Sequence, residues 1–132
     1  MTVFGAHDGL TEQIISAAYE VHNVLGSGFL EKVYQNALQE ELRRRGLTAE
    51  EQKEIAVYYK SSRVGEYFAD IVVEGQIILE LKAVDKISDV HELQLKNYLK
   101  ATGIEVGLLI NFGKSVDVRR KYVQRQEHIS VP

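Results

Sequence analysis

Apolar residues recur at Leu10, Ile14, Ala17, Ala18, Val21 and Leu25, a spacing of three and four that predicts a helix over 10–25. Gly26-Ser27-Gly28 ends it. A second helix is predicted over 30–45, with Leu30, Tyr34, Ala37, Leu38 and Leu42 inward and Gly46 as its stop. Val, Ile and Tyr then dominate 55–59, 67–73 and 77–84, three predicted strands whose turns are Lys60–Gly65 and Glu74-Gly75-Gln76. A third helix follows over 88–101, with Ser88 or Asp89 as N-cap, Gly103 behind it, and Val90 and Ala101 on its buried face. Val106–Asn111 is an apolar strand and Val116–Val123 a further one. The order ααβββαβ(β) predicts an α/β (α+β) domain, a mixed central sheet of four to five strands flanked by helices.

Polar residues inside this pattern carry the chemistry. Along 76–84, Ile77, Leu79, Leu81 and Ala83 form one apolar face, while Glu80 and Lys82 lie together on the other. On the preceding strand Asp70 is expected to share a face with Phe68 and Val72. A three-residue loop centred on Gly75 would pair Val73 with Ile77 and set Asp70 directly opposite Glu80. A two-residue turn would send Asp70 to the other face, and the apolar neighbours leave both registers open. In the first register two like charges meet, and either Lys82 or a divalent metal would relieve them. A hard cation such as Mg²⁺ takes oxygen ligands, and one or two carboxylates with a carbonyl and waters suffice. A lysine beside it would orient a water and balance phosphate charge. Glu31 falls in the inward stripe of the second helix, Gln94 and Tyr98 form an i, i+4 pair on the third, and His22 borders the apolar face of the first.

Composition narrows the alternatives. The 132 residues suit one domain, 1–132, and 45% hydrophobic with 27% charged residues excludes a disordered chain. Cysteine is absent, which excludes disulfides, Cys-zinc sites, iron–sulfur clusters and thiol catalysis. Residues 1–9 lack the basic start and apolar run of a signal peptide, and no stretch is long enough to span a membrane, so a cytoplasmic protein is expected. A net charge of −3 argues against coating nucleic acid by bulk charge. That charge is uneven. Residues 113–132 hold five bases, among them Arg119, Arg120 and Lys121, against two acids, whereas the rest holds 11 bases against 17 acids. The basic end reads either as a nucleic-acid contact or as a solubilising edge strand.

Asp70 followed by Glu80-Leu81-Lys82 resembles the core of the PD-(D/E)XK nuclease superfamily. Gly28-Phe29-Leu30-Glu31-Lys32-Val33-Tyr34 resembles the motif of the GxxExxY proteins, and Gln94-Leu95-Lys96-Asn97-Tyr98 the QxxxY motif of the RecB-like and lambda-exonuclease-like branch. Ala69 stands where the superfamily pattern has proline. The resemblance implies a restriction-endonuclease-like core and a nuclease dependent on Mg²⁺ or Mn²⁺. Asp70, Glu80 and the Leu81 carbonyl would hold the metal, with Glu31 approaching through water and His22 nearby. Lys82 would be the catalytic lysine, and Gln94 and Tyr98 would position the substrate, DNA ahead of RNA.

Singly, each residue has an ordinary reading: Glu80 and Lys82 as an ion pair, Asp70 as an edge acid, Gln94 and Tyr98 as a helix-surface hydrogen bond. Two other classes therefore stand beside the enzyme. One is a nucleic-acid-binding or partner-regulating module that keeps the fold without turnover. The other is a homodimeric structural protein. For the enzyme, a homodimer or partner protein would supply substrate choice.

Overall fold

Helical periodicity and helix-breaking glycines translate directly into α1 (Asp8–Leu25) and α2 (Glu31–Arg44) in the computed structural model, which describes residues 7–123. Gly26, at φ +75°, stops α1 in a left-handed conformation that a side chain would resist. Five strands and one more helix follow: β1 (Ala49–Tyr59), β2 (Ser62–Val73), β3 (Ile77–Lys82), α3 (Asp89–Thr102), β4 (Val106–Phe112) and β5 (Val116–Tyr122). They form one mixed sheet in the order β1-β2-β3-β4-β5, antiparallel except for the parallel pair β3–β4 that α3 connects. This is the α+β architecture and element order the pattern predicts.

Two cores lie on opposite faces of the sheet. On one face, α1 and α2 bury Ile14, Val21, Tyr34, Leu38 and Leu42 against Ile71, Leu79, Leu81 and Ile110. On the other, α3 packs Leu95 and Leu99 on Ala69, Val72, Ile78 and Leu109. β4 is buried along its whole length, as expected of a central strand with both faces covered. Among the described residues no helix is long and apolar enough to cross a membrane.

The structure corrects the pattern in three places. β1 begins at Ala49 and β2 at Ser62, well before the predicted starts, and the turn between them shrinks to Lys60–Ser61. Residues 50–54 and 62–66 are exposed on both sides, so no apolar alternation marks them. Val90, expected on the buried face of α3, is 72% exposed. It lies five residues before Leu95, roughly 140° away around the helix. Finally, Asp70 does not share a simple face with Phe68 and Val72. Ile71 and Val73 join the α1–α2 core, whereas Ala69 and Val72 join the α3 core, so the alternation breaks at Asp70.

Candidate active site

The loop Glu74-Gly75-Gln76 has three residues, with Glu74 and Gly75 both at positive φ, and it pairs Val73 with Ile77. β2 and β3 then stay hydrogen-bonded only as far as Ile71 and Leu79. Beyond that point β2 continues on β1 and β3 continues on β4. The strands fork where Asp70 and Glu80 face each other.

Side chains replace the missing ladder at the fork. The Leu81 N–H donates to Asp70 Oδ2 at 2.8 Å, and the Asp70 N–H donates to Glu80 Oε2 at 3.1 Å. The buried Gln35 side chain on α2 donates to the Asp70 carbonyl at 3.2 Å. Each carboxylate thus satisfies a backbone N–H that has lost its strand partner. Burial first and the neighbouring Asp70 second push the Glu80 carboxyl up to about 8, with a smaller push from Glu31. The Asp70 N–H and Lys82 offset part of that rise. Burial also raises Asp70, against the Leu81 N–H, Lys82, Lys32 and Gln52, which favour its charged form. Two half-buried acids held together in this way lack sufficient positive charge.

Other expected residues fall at varied distances from this pair. Lys82 lies two residues beyond Glu80 on the same strand, near enough for its charge to act on both acids. Tyr98 stands on α3, with burial and Glu80 raising its phenol and the exposed Gln94 side chain offsetting part of that rise. Glu31 opens α2 and is exposed to solvent. His22 donates instead to the Gly113 carbonyl, with its Nε2 2.9 Å away. Among the described residues no three His, Asp or Glu side chains gather as a ready metal cage. Asp70 and Glu80 are therefore the pair that could hold a cation, leaving its remaining coordination to carbonyl oxygen and water.

The basic residues of β5 divide between the two faces, because alternate strand residues point oppositely. Arg119 pairs with Asp117 and Glu92, and Lys121 also with Glu92, on the α3 side. Arg120 pairs with Asp8 of α1 at 2.8 Å. The three form no single basic surface, and β5 is one of the sheet's two edge strands. Arg125 lies outside the described residues.

Four neighbours of the fork carried no sequence signal for it: Gln35, Lys32, Gln52 and Tyr67. Tyr67 stacks on Tyr98 with rings 19° apart, its hydroxyl buried without a hydrogen-bond partner. Burial, then Glu80 and Tyr98, raise its phenol well above the ordinary range. It was hidden in an apolar strand, where a tyrosine reads as core.

Tyr34, the last residue of the glycine-started motif on α2, has a structural task. It is fully buried and stacks on Phe112 with centroids 4.6 Å apart. Its hydroxyl donates to the Gly26 carbonyl at 2.6 Å and accepts from the Phe29 N–H at 3.2 Å. This clamps the loop that leads into Glu31. Tyr34→Phe is expected to cost about 1–3 kcal/mol, because both backbone groups lose their partner; urea denaturation checks it.

A family model described as PD-(D/E)XK nuclease superfamily matches residues 8–125. No curated protein matches the chain. Among solved structures, one titled "Crystal structure of SSO0001" aligns over 89% of this chain and 59% of its own, with 20% identity and a TM-score of 0.55. The chain thus spans less than two thirds of that neighbour, and the likeness is one of fold.

Proposed function

This chain belongs to the PD-(D/E)XK nuclease superfamily, and we propose that it hydrolyses phosphodiester bonds, in DNA ahead of RNA, with Mg²⁺ or Mn²⁺ at the fork. On this reading it is a GxxExxY protein of the RecB-like and lambda-exonuclease-like branch, a reading supported by the motif at Gly28–Tyr34 and by Gln94 and Tyr98. The observation that carries the proposal is the opposition of Asp70 and Glu80 at the fork, with Lys82 beside them.

The donor set fits a hard divalent ion. Asp70 and Glu80 are oxygen donors, both pushed toward their neutral forms by burial and proximity, and a cation would restore their charge. The Leu81 carbonyl would complete the protein's share. When bound, the ion supplies Lewis acidity and a more acidic water. The protein's own groups do the rest. Lys82 places an ammonium beside the acids, where it holds a water by hydrogen bonds and balances charge growing on the phosphoryl oxygens. Tyr98, steadied by Gln94, offers a phenolic donor to the substrate from the α3 side. Glu31, exposed at the start of α2, contributes through water.

The test is cleavage of plasmid and of single- and double-stranded oligonucleotides, DNA and RNA, by purified protein. Cutting is expected with Mn²⁺ or Mg²⁺ and none with EDTA. Salt-sensitive binding without any cutting would establish the non-catalytic module instead.

A further inference from the structure

We propose that Gln52 is a positioning residue of this reaction, holding the Asp70 carboxylate in the fork from a strained point in the middle of β1. The inference rests on the phosphodiesterase reading of Asp70 and Glu80.

Gln52 has φ +50°. A side chain at positive φ crowds its own backbone, and a long one such as glutamine gains nothing locally in return. The other non-glycine residues at positive φ among those described, Lys60 and Glu74, sit in the turns that end β1 and β2. Gln52 sits inside a strand. No inserted residue accounts for it either. The register runs Glu50↔Val72 and Glu51↔Ile71, then resumes at Lys53↔Ala69 in the same alignment, leaving out only the position where Gln52 faces Asp70. At this position both strands turn over. Ala49, Ile71 and Val73 pack toward α1 and α2, whereas Ile55 and Ala69 pack toward α3. Regular alternation would have kept all five on one side.

The distortion serves Asp70. Gln52 is exposed, so core packing does not demand its side chain. From the register position opposite Asp70, that side chain favours the charged form of the Asp70 carboxylate. An amide N–H is the donor that a carboxylate accepts. The Leu81 N–H binds Oδ2 from β3. The carboxylate is therefore approached from both prongs of the fork, by β1 through the Gln52 amide and by β3 through the Leu81 N–H that binds it. A neutral donor suits the task, because it orients the ligand without bringing a charge that competes with a cation. Backbone strain at such a point is what a positioning role predicts.

Gln52→Gly separates the role from the strain, since glycine adopts φ +50° freely but has no amide. The metal-free variant is expected to melt at or above the wild-type temperature. Its Mn²⁺ affinity by calorimetry is expected to fall about 10-fold and kcat for DNA by 10- to 100-fold, the usual range for a partner of a metal ligand. KM for DNA should stay unchanged. Gln52→Asn, which keeps the amide and tolerates the conformation, should fall between the two. A folded Gln52→Gly protein with wild-type Mn²⁺ affinity and kcat would overturn the proposal, and so would a lowered melting temperature. Wild-type protein in the same titration isolates the premise: if it binds no Mn²⁺ and cuts nothing, the phosphodiesterase reading fails and this inference with it.

Discussion

Glu80→Gln is expected to reduce DNA cleavage by about 10³-fold or more and, at pH 8, to raise the melting temperature of the metal-free protein. The two effects have one origin. Burial and the neighbouring Asp70 lift the Glu80 carboxyl from 4.5 to about 8. Between those values the folded protein holds a proton that the unfolded chain has released. Stability therefore falls as pH rises through the window, by about 1.4 kcal/mol per pH unit, and levels off above pH 8. Glutamine keeps an oxygen for the Asp70 N–H and has nothing to ionise. Its advantage is absent below pH 4.5, grows across the window and is greatest above it. Cleavage is lost because a neutral amide oxygen is a poor ligand for a hard cation. Mn²⁺ must displace the Glu80 proton, so wild-type affinity should climb toward pH 8 and then flatten. Calorimetric melting at pH 5 to 9, beside cleavage assays, checks the pair of effects. A variant that melts below wild type throughout would refute the electrostatic account.

The opposition of Asp70 and Glu80 was half legible in the sequence. Loop length decides it, and Glu74-Gly75-Gln76 suggested three residues. Both faces of β2 are apolar, however, so side-chain pattern alone left a second register open. The structure adopts the three-residue loop, with Glu74 and Gly75 both at positive φ. The fork itself was not legible. Where one strand leaves another depends on what each pairs with next, here β1 for Asp70 and β4 for Glu80. Gln52 lies in a polar stretch exposed on both sides, and a backbone turned to positive φ leaves no mark in hydropathy. Tyr67 belongs to the site through its stack on Tyr98, a contact between β2 and α3 that no local period encodes. The basic run Arg119-Arg120-Lys121 is spread out by the fold. A cluster in sequence becomes two faces in a strand, and each residue there meets an acid.

Lys82→Met is expected to lower kcat by 10²- to 10⁴-fold while leaving Mn²⁺ affinity equal to or tighter than wild type, which separates it from any change at the carboxylates. Lys82 favours the charged forms of both Asp70 and Glu80. In the metal-free protein it therefore does part of a cation's work. A bound divalent ion takes over that neutralisation, and the ammonium then repels it. Methionine removes the repulsion and keeps an unbranched side chain of similar length, so the half-buried site stays filled. It also removes the donors that hold a water and balance phosphoryl charge, and these matter only during turnover. The distinction is sharpest well above pH 8, where Glu80 ionises even though the loss of Lys82 raises its carboxyl further. There the variant should bind Mn²⁺ at least as well as wild type and still fail to cut. If Mn²⁺ binding is instead lost at pH 9, Lys82 acts by shaping the carboxylate pair. If cleavage survives at wild-type rates, the lysine has no part in the chemistry and the mechanism proposed for the fork is wrong.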